Sequence, residues 1–170
     1  MDGKIRAFIC TEIPEGIRAR MRDFQAGLEA ARNVPVANMH ITLLFLGDVE
    51  PREIERISLA MDSSAAPGFE ISMEGIGEFR HGGNSVVFAG VARGSRELTE
   101  LRNRICDSLG MDAGSYVPHV TIARAAAKAR LAYDNGVRFG SFTCRSIKLK
   151  SSTLGDGPPT YSDIHETRLY

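Results

Sequence analysis

His40-Ile41-Thr42-Leu43 and, 79 positions later, His119-Val120-Thr121-Ile122 are one phrase written twice, H-x-T followed by an aliphatic residue. Each copy lies in a run that reads as a β-strand. Side chains alternate faces along a strand, so each His and the Thr two residues on point the same way, roughly 6–7 Å apart. Two such strands laid side by side bring two imidazoles and two hydroxyls to one surface. That set suits a tetrahedral anion attacked on one side and left on the other.

The segments around the two motifs follow the same order twice. Ile5, Ala7 and Ile9 alternate with Arg6, Phe8 and Cys10, the mark of a strand. Pro14 opens a helix with Ile17, Met21, Phe24 and Leu28 on one face. The first H-x-T strand, from Met39 to Leu46 and closed by Gly47-Asp48, comes next. A second helix then opens at Pro51 with Ile54, Ile57 and Met61 inward, and Phe69, Ile71 and Met73 mark another strand. After the turn His81-Gly82-Gly83-Asn84 the order restarts with a strand from Val86 to Val91. Ser95 is read as the cap of a helix carrying Leu98, Leu101, Ile105 and Leu109 and stopped by Gly110. The second H-x-T strand runs from Pro118 to Arg124. An Ala-rich helical stretch, Ala125 to Ala132, a strand from Phe142 to Leu149 and a last strand from Thr160 towards Leu169 complete the chain.

The expected fold is α+β: one domain over 1–170 built as a pseudo-symmetric, bilobal duplication with sequence halves of roughly 1–80 and 81–170. Two mainly antiparallel sheets, backed by helices, would flank a central cleft carrying both H-x-T strands. Which strand belongs to which lobe stays open, since a strand can cross to the other sheet. A chain of 170 residues, 43% hydrophobic and 25% charged, suffices for one such core. Twenty-one basic residues balance twenty-one acidic ones, so no strong general attraction to long nucleic acid is expected, and any nucleic-acid ligand would be grasped locally, at an end. Cys10, Cys106 and Cys144 are odd in number and widely spaced, and they read as reduced core residues of a cytoplasmic protein. No export signal or membrane span is visible.

A single His in a strand is most often structural. Two copies at equivalent places in a repeat are not explained that way, because polar pairs on one face must be hydrogen-bonded or wet; buried unpaired they cost on the order of 1–3 kcal/mol each. Imidazole titrates at about 6.5, so one copy can accept a proton while the other donates one. Opening a phosphodiester by in-line attack needs that pair, and the Thr42 and Thr121 hydroxyls would donate to the non-bridging phosphate oxygens. A strained 2′,3′-cyclic phosphate demands no metal. No C-x-x-C or H-E-x-x-H spacing occurs, so neither a metal nor another cofactor is expected.

His40 through Gly47 (HITLLFLG) and Pro118 through Arg124 (PHVTIAR) resemble the paired signatures of the two-histidine phosphoesterase superfamily, and within it the RNA 2′,3′-cyclic phosphodiesterases, or 2′-5′ RNA ligase family. Arg6-Ala7-Phe8-Ile9, Val87 through Val91 and Tyr161 are similar to its opening, middle and last strands. The resemblance implies that His40 is the proton donor and His119 the proton acceptor, and that RNA ends bearing a 2′,3′-cyclic phosphate are opened to a 2′-phosphomonoester. The chemistry of the residues treats the two histidines as equals. Two alternatives stay open: the reverse reaction, joining RNA ends through a 2′-5′ linkage, and a binding module that holds a nucleotide or RNA end without turnover. No membrane partner is expected, and the protein should act as a monomer.

Leu44 departs from the family by standing where relatives often carry a basic residue. Arg124 is a phosphate-binding candidate, although strict alternation puts it on the face opposite His119. Phe8 and Tyr161 are candidates for stacking on a terminal base. His81 reads as a solvated turn residue and His165 as an exposed residue of an edge strand. Lys128 and Arg130 would mark a basic helix beside the cleft, or a solvated face.

Overall fold

The computed structural model describes residues 3–29, 31–126 and 133–170. Among the described residues nine strands and three α-helices follow in order: β1 (Ile5–Glu12), α1 (Glu15–Gln25), β2 (Arg32–Asn33), β3 (His40–Val49), α2 (Ile54–Ser63), β4 (Phe69–His81), β5 (Asn84–Val91), α3 (Ser95–Leu109), β6 (His119–Ala126), β7 (Arg138–Cys144), β8 (Ser146–Thr153) and β9 (Thr160–Arg168). They form two antiparallel sheets, ordered β3-β1-β8-β9 and β2-β6-β5-β4-β7. The α+β architecture of two sheets backed by helices is as expected, with one H-x-T strand in each sheet.

The lobes do not follow the sequence halves. β4, from the first half, pairs with β5 in the second sheet, while β8 and β9 return to the first sheet beside β1. That return corrects the single strand expected from Phe142 to Leu149. The chain breaks at Arg145, so β7 ends one sheet and β8 begins in the other. Both pieces carry the same alternating pattern, and only their pairing partners separate them.

The helices cover the outer faces. α1 packs on β6 and β7, α2 on α3 and β9, and α3 on β3. Met21, Met61, Leu98, Leu101 and Ile105, spaced for one helical face each, are fully buried against Ile41, Leu43, Val120 and Ile122 of the motif strands. Each motif strand thus turns its aliphatic residues to the core and its His and Thr away from it.

Smaller differences have local causes. Ser95 does not cap α3: Gly94, at φ +87°, takes that position, and a Cβ there would meet the Glu70 carbonyl oxygen at 2.7 Å. The first H-x-T strand continues through Gly47-Asp48 to Val49. Gly82 and Gly83, both at positive φ, close the β4–β5 hairpin in two residues. Ala125 and Ala126, expected at the start of a helix, extend β6; the rest of that stretch, with Lys128 and Arg130, lies outside the described residues. No helix among the described residues is long and apolar enough to cross a membrane.

Candidate active site

His40, Thr42, His119 and Thr121 line one cleft of about 850 Å³ between the sheets. Each histidine is fixed in the same way. The Nδ1–H of His40 donates to the Asn38 carbonyl at 2.7 Å, and that of His119 to the Val117 carbonyl at 2.7 Å, in both cases the residue two positions earlier. A carbonyl can only accept, so it holds the proton on Nδ1 and leaves Nε2 to titrate. Nε2 of His40 is 2.9 Å from Thr42 Oγ1. For His119 no such partner occurs among the described residues.

A β-bulge in each motif decides what else faces the cleft. In β3 the pairing jumps between Ile9–Leu44 and Cys10–Thr42, leaving Leu43 extra; in β6 it jumps between Val87–Ala123 and Phe88–Thr121, leaving Ile122 extra. Two successive residues are therefore buried in each strand, Leu43 with Leu44 and Ile122 with Ala123, and the next residue swings to the cleft. Arg124 consequently lines the cleft with His119, which corrects the face assigned by strict alternation. Leu44, where a basic residue was looked for, is core. Phe45 occupies in the first motif the slot of Arg124 in the second, five residues after its His. It lines the same cleft and is 72% exposed.

Both bulged segments are held by side chains from distant parts of the chain. Gln25 at the end of α1 is buried, and its Nε2 donates to the Ile122 carbonyl at 2.6 Å and to the Val34 carbonyl at 2.8 Å. Tyr116, in the segment before β6, donates its hydroxyl to the Thr42 carbonyl at 2.8 Å. Its ring lies under the buried guanidinium of Arg102, 4.9 Å away, and Arg102 also donates to the Ala113 carbonyl. The next residue, Val117, holds His119, so one short segment touches both motifs. Tyr116→Phe keeps the ring and loses only the hydroxyl; denaturant unfolding should show a loss of about 1 kcal/mol. An unchanged midpoint would mean that the Thr42 carbonyl finds water equally well.

The surroundings of the two histidines differ. The His40 ring stacks on Phe8 at 4.9 Å and meets Tyr161 edge-on at 5.5 Å. Phe8 is 3% exposed, so its ring packs His40 and offers little open face to a base; Tyr161 is half-buried against both. On the same face of the first sheet, Lys148 and Lys150 bridge Glu12 and Asp163 at 2.7–3.0 Å. Glu12 pairs with His40 across β1 and β3. Burial pushes the His40 pKa down to about 4, with the Lys150 and His119 charges adding to the effect against the Asn38 bond and Glu12. Burial also pushes the Cys10 thiol among these charges up to about 12, so it stays neutral. His119 instead meets the edges of Phe79 and Phe88 at 5.0 and 5.2 Å, rings that stack on each other. Gly77 makes room for them: a Cβ there would lie 2.3 Å from the Phe88 ring.

The other histidines are elsewhere. His81 ends β4, exposed at the hairpin. His165, expected exposed on its edge strand, is half-buried because Nε2 bonds Asp62 of α2 at 2.8 Å. No three His, Cys, Asp or Glu side chains converge as a metal-ligand group among the described residues. Phe45, Phe79, Phe88, Gln25 and Tyr116 were not found by sequence reasoning. For Phe45 a signal existed, since the repeat aligns it with Arg124; the others act through pairings between remote segments.

A duplicated two-sheet fold with one cleft-facing His and Thr from each repeat defines a two-histidine phosphoesterase. The chain belongs to the 2′-5′ RNA ligase superfamily, whose family model matches residues 13–138. It is 30% identical to the RNA 2′,3′-cyclic phosphodiesterase of Archaeoglobus fulgidus over 94% of this chain and 98% of that one. It is 34% identical to the protein of that name from Aeropyrum pernix, over 90% and 95%. The crystal structure of Escherichia coli LigT complexed with 3′-AMP superposes with a TM-score of 0.86 at 25% identity, covering 98% of both chains.

Proposed function

We infer that the protein hydrolyses 2′,3′-cyclic phosphate ends of RNA to 2′-phosphomonoesters. The observation that carries this reading is the matched anchoring of the two histidines, which leaves one titratable Nε2 from each repeat at a single cleft. His119 takes a proton from water as the water oxygen bonds to phosphorus. The P–O3′ bond breaks on the opposite side, and His40 gives its proton to O3′. The product carries a 2′-phosphate and a free 3′-hydroxyl, and the histidines reset by exchange with solvent. Thr42, Thr121 and Arg124 hold the non-bridging oxygens.

The electrostatics of the cleft support an anionic ligand. Among the described residues, Arg6, Arg32 and Arg124 line it against one acidic residue, Asp156, a local excess that the zero net charge conceals. Burial keeps His40 neutral in the ligand-free protein, so its donor role requires proton uptake with the substrate. A phosphate bound beside the ring favours that charged form. Nearly full-length relatives named RNA 2′,3′-cyclic phosphodiesterase, and a neighbour complexed with 3′-AMP, support the substrate class. Three buried, unpaired cysteines support a reducing compartment, the cytoplasm.

The test is an oligoribonucleotide ending in a 2′,3′-cyclic phosphate, with the product identified as the 2′- or 3′-monoester. The 2′-phosphate should form, and EDTA should leave the rate unchanged, because side chains carry both proton transfers. A 3′-phosphate product, no turnover, or activity lost to EDTA and restored by zinc would each count against the mechanism.

A further inference from the structure

The two motifs differ in what stands opposite each histidine. Across the β1–β3 ladder Glu12 pairs with His40 and Cys10 with Thr42; at the matching places of the β5–β6 ladder Gly90 pairs with His119 and Phe88 with Thr121. The repeat thus sets a carboxylate opposite one imidazole and no side chain opposite the other. Gly90 has no room for one, since a Cβ there would lie 2.9 Å from the Glu74 carbonyl oxygen. Glu12 is bound by Lys150 at 2.7 Å and Lys148 at 3.0 Å, and both lysines also bond Asp163. The lysine side chains are only 14% and 17% exposed, so the cluster is fixed to the sheet face rather than free in solvent. Lys150 stands opposite Phe8, whose ring is stacked on His40. Cys10 and Tyr161, the other ionisable groups on this side, are held neutral by burial. Across the cleft stand His119 and Arg124, with Arg6 further along β1.

We propose that Glu12 is the positioning residue of the acid: its carboxylate, bound by Lys148 and Lys150, stabilises the imidazolium that His40 must become before it can give a proton to O3′. The bare backbone at Gly90 leaves His119 without such a partner, free to act as the base. The repeat therefore divides the two roles through the strand paired with each motif, not through the motifs themselves. This rests on the reading of His40 as donor. Beyond burial, two charges of opposite sign act on that ring: Glu12 favours its charged form and Lys150 opposes it, with Lys150 the stronger in the ligand-free protein. A bound phosphate adds negative charge on the Nε2 side, and together with Glu12 it outweighs Lys150 and burial.

The experiment follows the imidazole resonances of His40 and His119 by NMR titration, with and without saturating inorganic phosphate, each assigned through its His→Gln variant. Alongside it, kcat/KM is measured for adenosine 2′,3′-cyclic phosphate near neutral pH. Glu12→Gln should lower the titration midpoint of His40 by about 0.5–1 pH unit and kcat/KM by roughly three- to tenfold, the reach of one half-exposed charge at this range. Lys150→Gln, with Lys148 still holding Glu12, should raise the His40 midpoint. Glu12→Asp keeps the charge and should hold both quantities near wild type. The His119 midpoint should move less than that of His40 in every variant. An unmoved His40 midpoint in Glu12→Gln, shifts of one sign in Glu12→Gln and Lys150→Gln, or an equal shift at His119 overturns the proposal. Absence of turnover in wild type, with the opposed His40 shifts intact, would sink the hydrolase reading and leave the control of His40 by Glu12 standing.

Discussion

His40→Ala and His119→Ala each lower turnover of a 2′,3′-cyclic phosphate by on the order of 10²–10⁴, equivalent to about 3–5 kcal/mol of lost transition-state stabilisation. Each removes one of the two proton-transfer groups, and among the described residues the cleft offers no third imidazole to replace it. Thr42→Ala should lose less, about one neutral hydrogen bond, since the hydroxyl supports Nε2 of His40 at 2.9 Å without carrying the proton. His119→Ala should leave thermal stability unchanged, whereas His40→Ala opens a void beside Phe8 and Tyr161; His40→Gln keeps most of the volume and separates the two effects. Rates are compared on variants whose circular dichroism matches wild type. Wild-type turnover in both folded His variants would end the acid–base mechanism.

Lowering the pH from 6.5 to 4 should destabilise the ligand-free protein by on the order of 3 kcal/mol through His40 alone. An unfolded histidine titrates near 6.5, while burial in the fold pushes His40 down to about 4. Above 6.5 the ring is neutral in both states and its contribution is fully present. As the pH falls below that value the unfolded chain takes up a proton that the folded chain refuses, and stability drops by about 1.4 kcal/mol per pH unit until the folded ring titrates too. Asp62, Glu78 and Asp163, whose pKa values are held low by hydrogen bonds to Thr167, Tyr133 and Lys148 respectively, begin to lose their contributions as the pH falls through the ordinary carboxylate range, and do so alike in wild type and in His40→Gln. Urea midpoints at pH 7.5, 5.5 and 4.5 should therefore fall more steeply for wild type than for His40→Gln. Saturating inorganic phosphate should flatten the wild-type slope, because the bound anion favours the imidazolium. Parallel curves for the two proteins would show that His40 is not held neutral.

Much of this protein is legible in the order of its residues. The two H-x-T phrases, their separation and the strand–helix order around each are local patterns, and local patterns determine which residues enter strands, which face of each helix is apolar, and that His40 and Thr42, or His119 and Thr121, share a face. Alternation with period 2 suffices for that over three residues. It fails at the fifth, because a bulge forms only where a partner strand imposes its register, and Leu43 and Ile122 look no different from their neighbours before pairing. The faces of Arg124 and Phe45 were therefore decided by β1 and β5, together with Gln25 and Tyr116, which arrive from far along the chain. The same holds for the crossing at Arg145, where one continuous strand pattern is divided between two sheets. The inequality of the histidines belongs to the tertiary structure as well. Their motifs are alike, but burial against Phe8 and Tyr161, with the charge of Lys150, depresses the His40 pKa, while His119 meets Phe79 and Phe88, and desolvation and charge depend on what is near in space rather than in sequence.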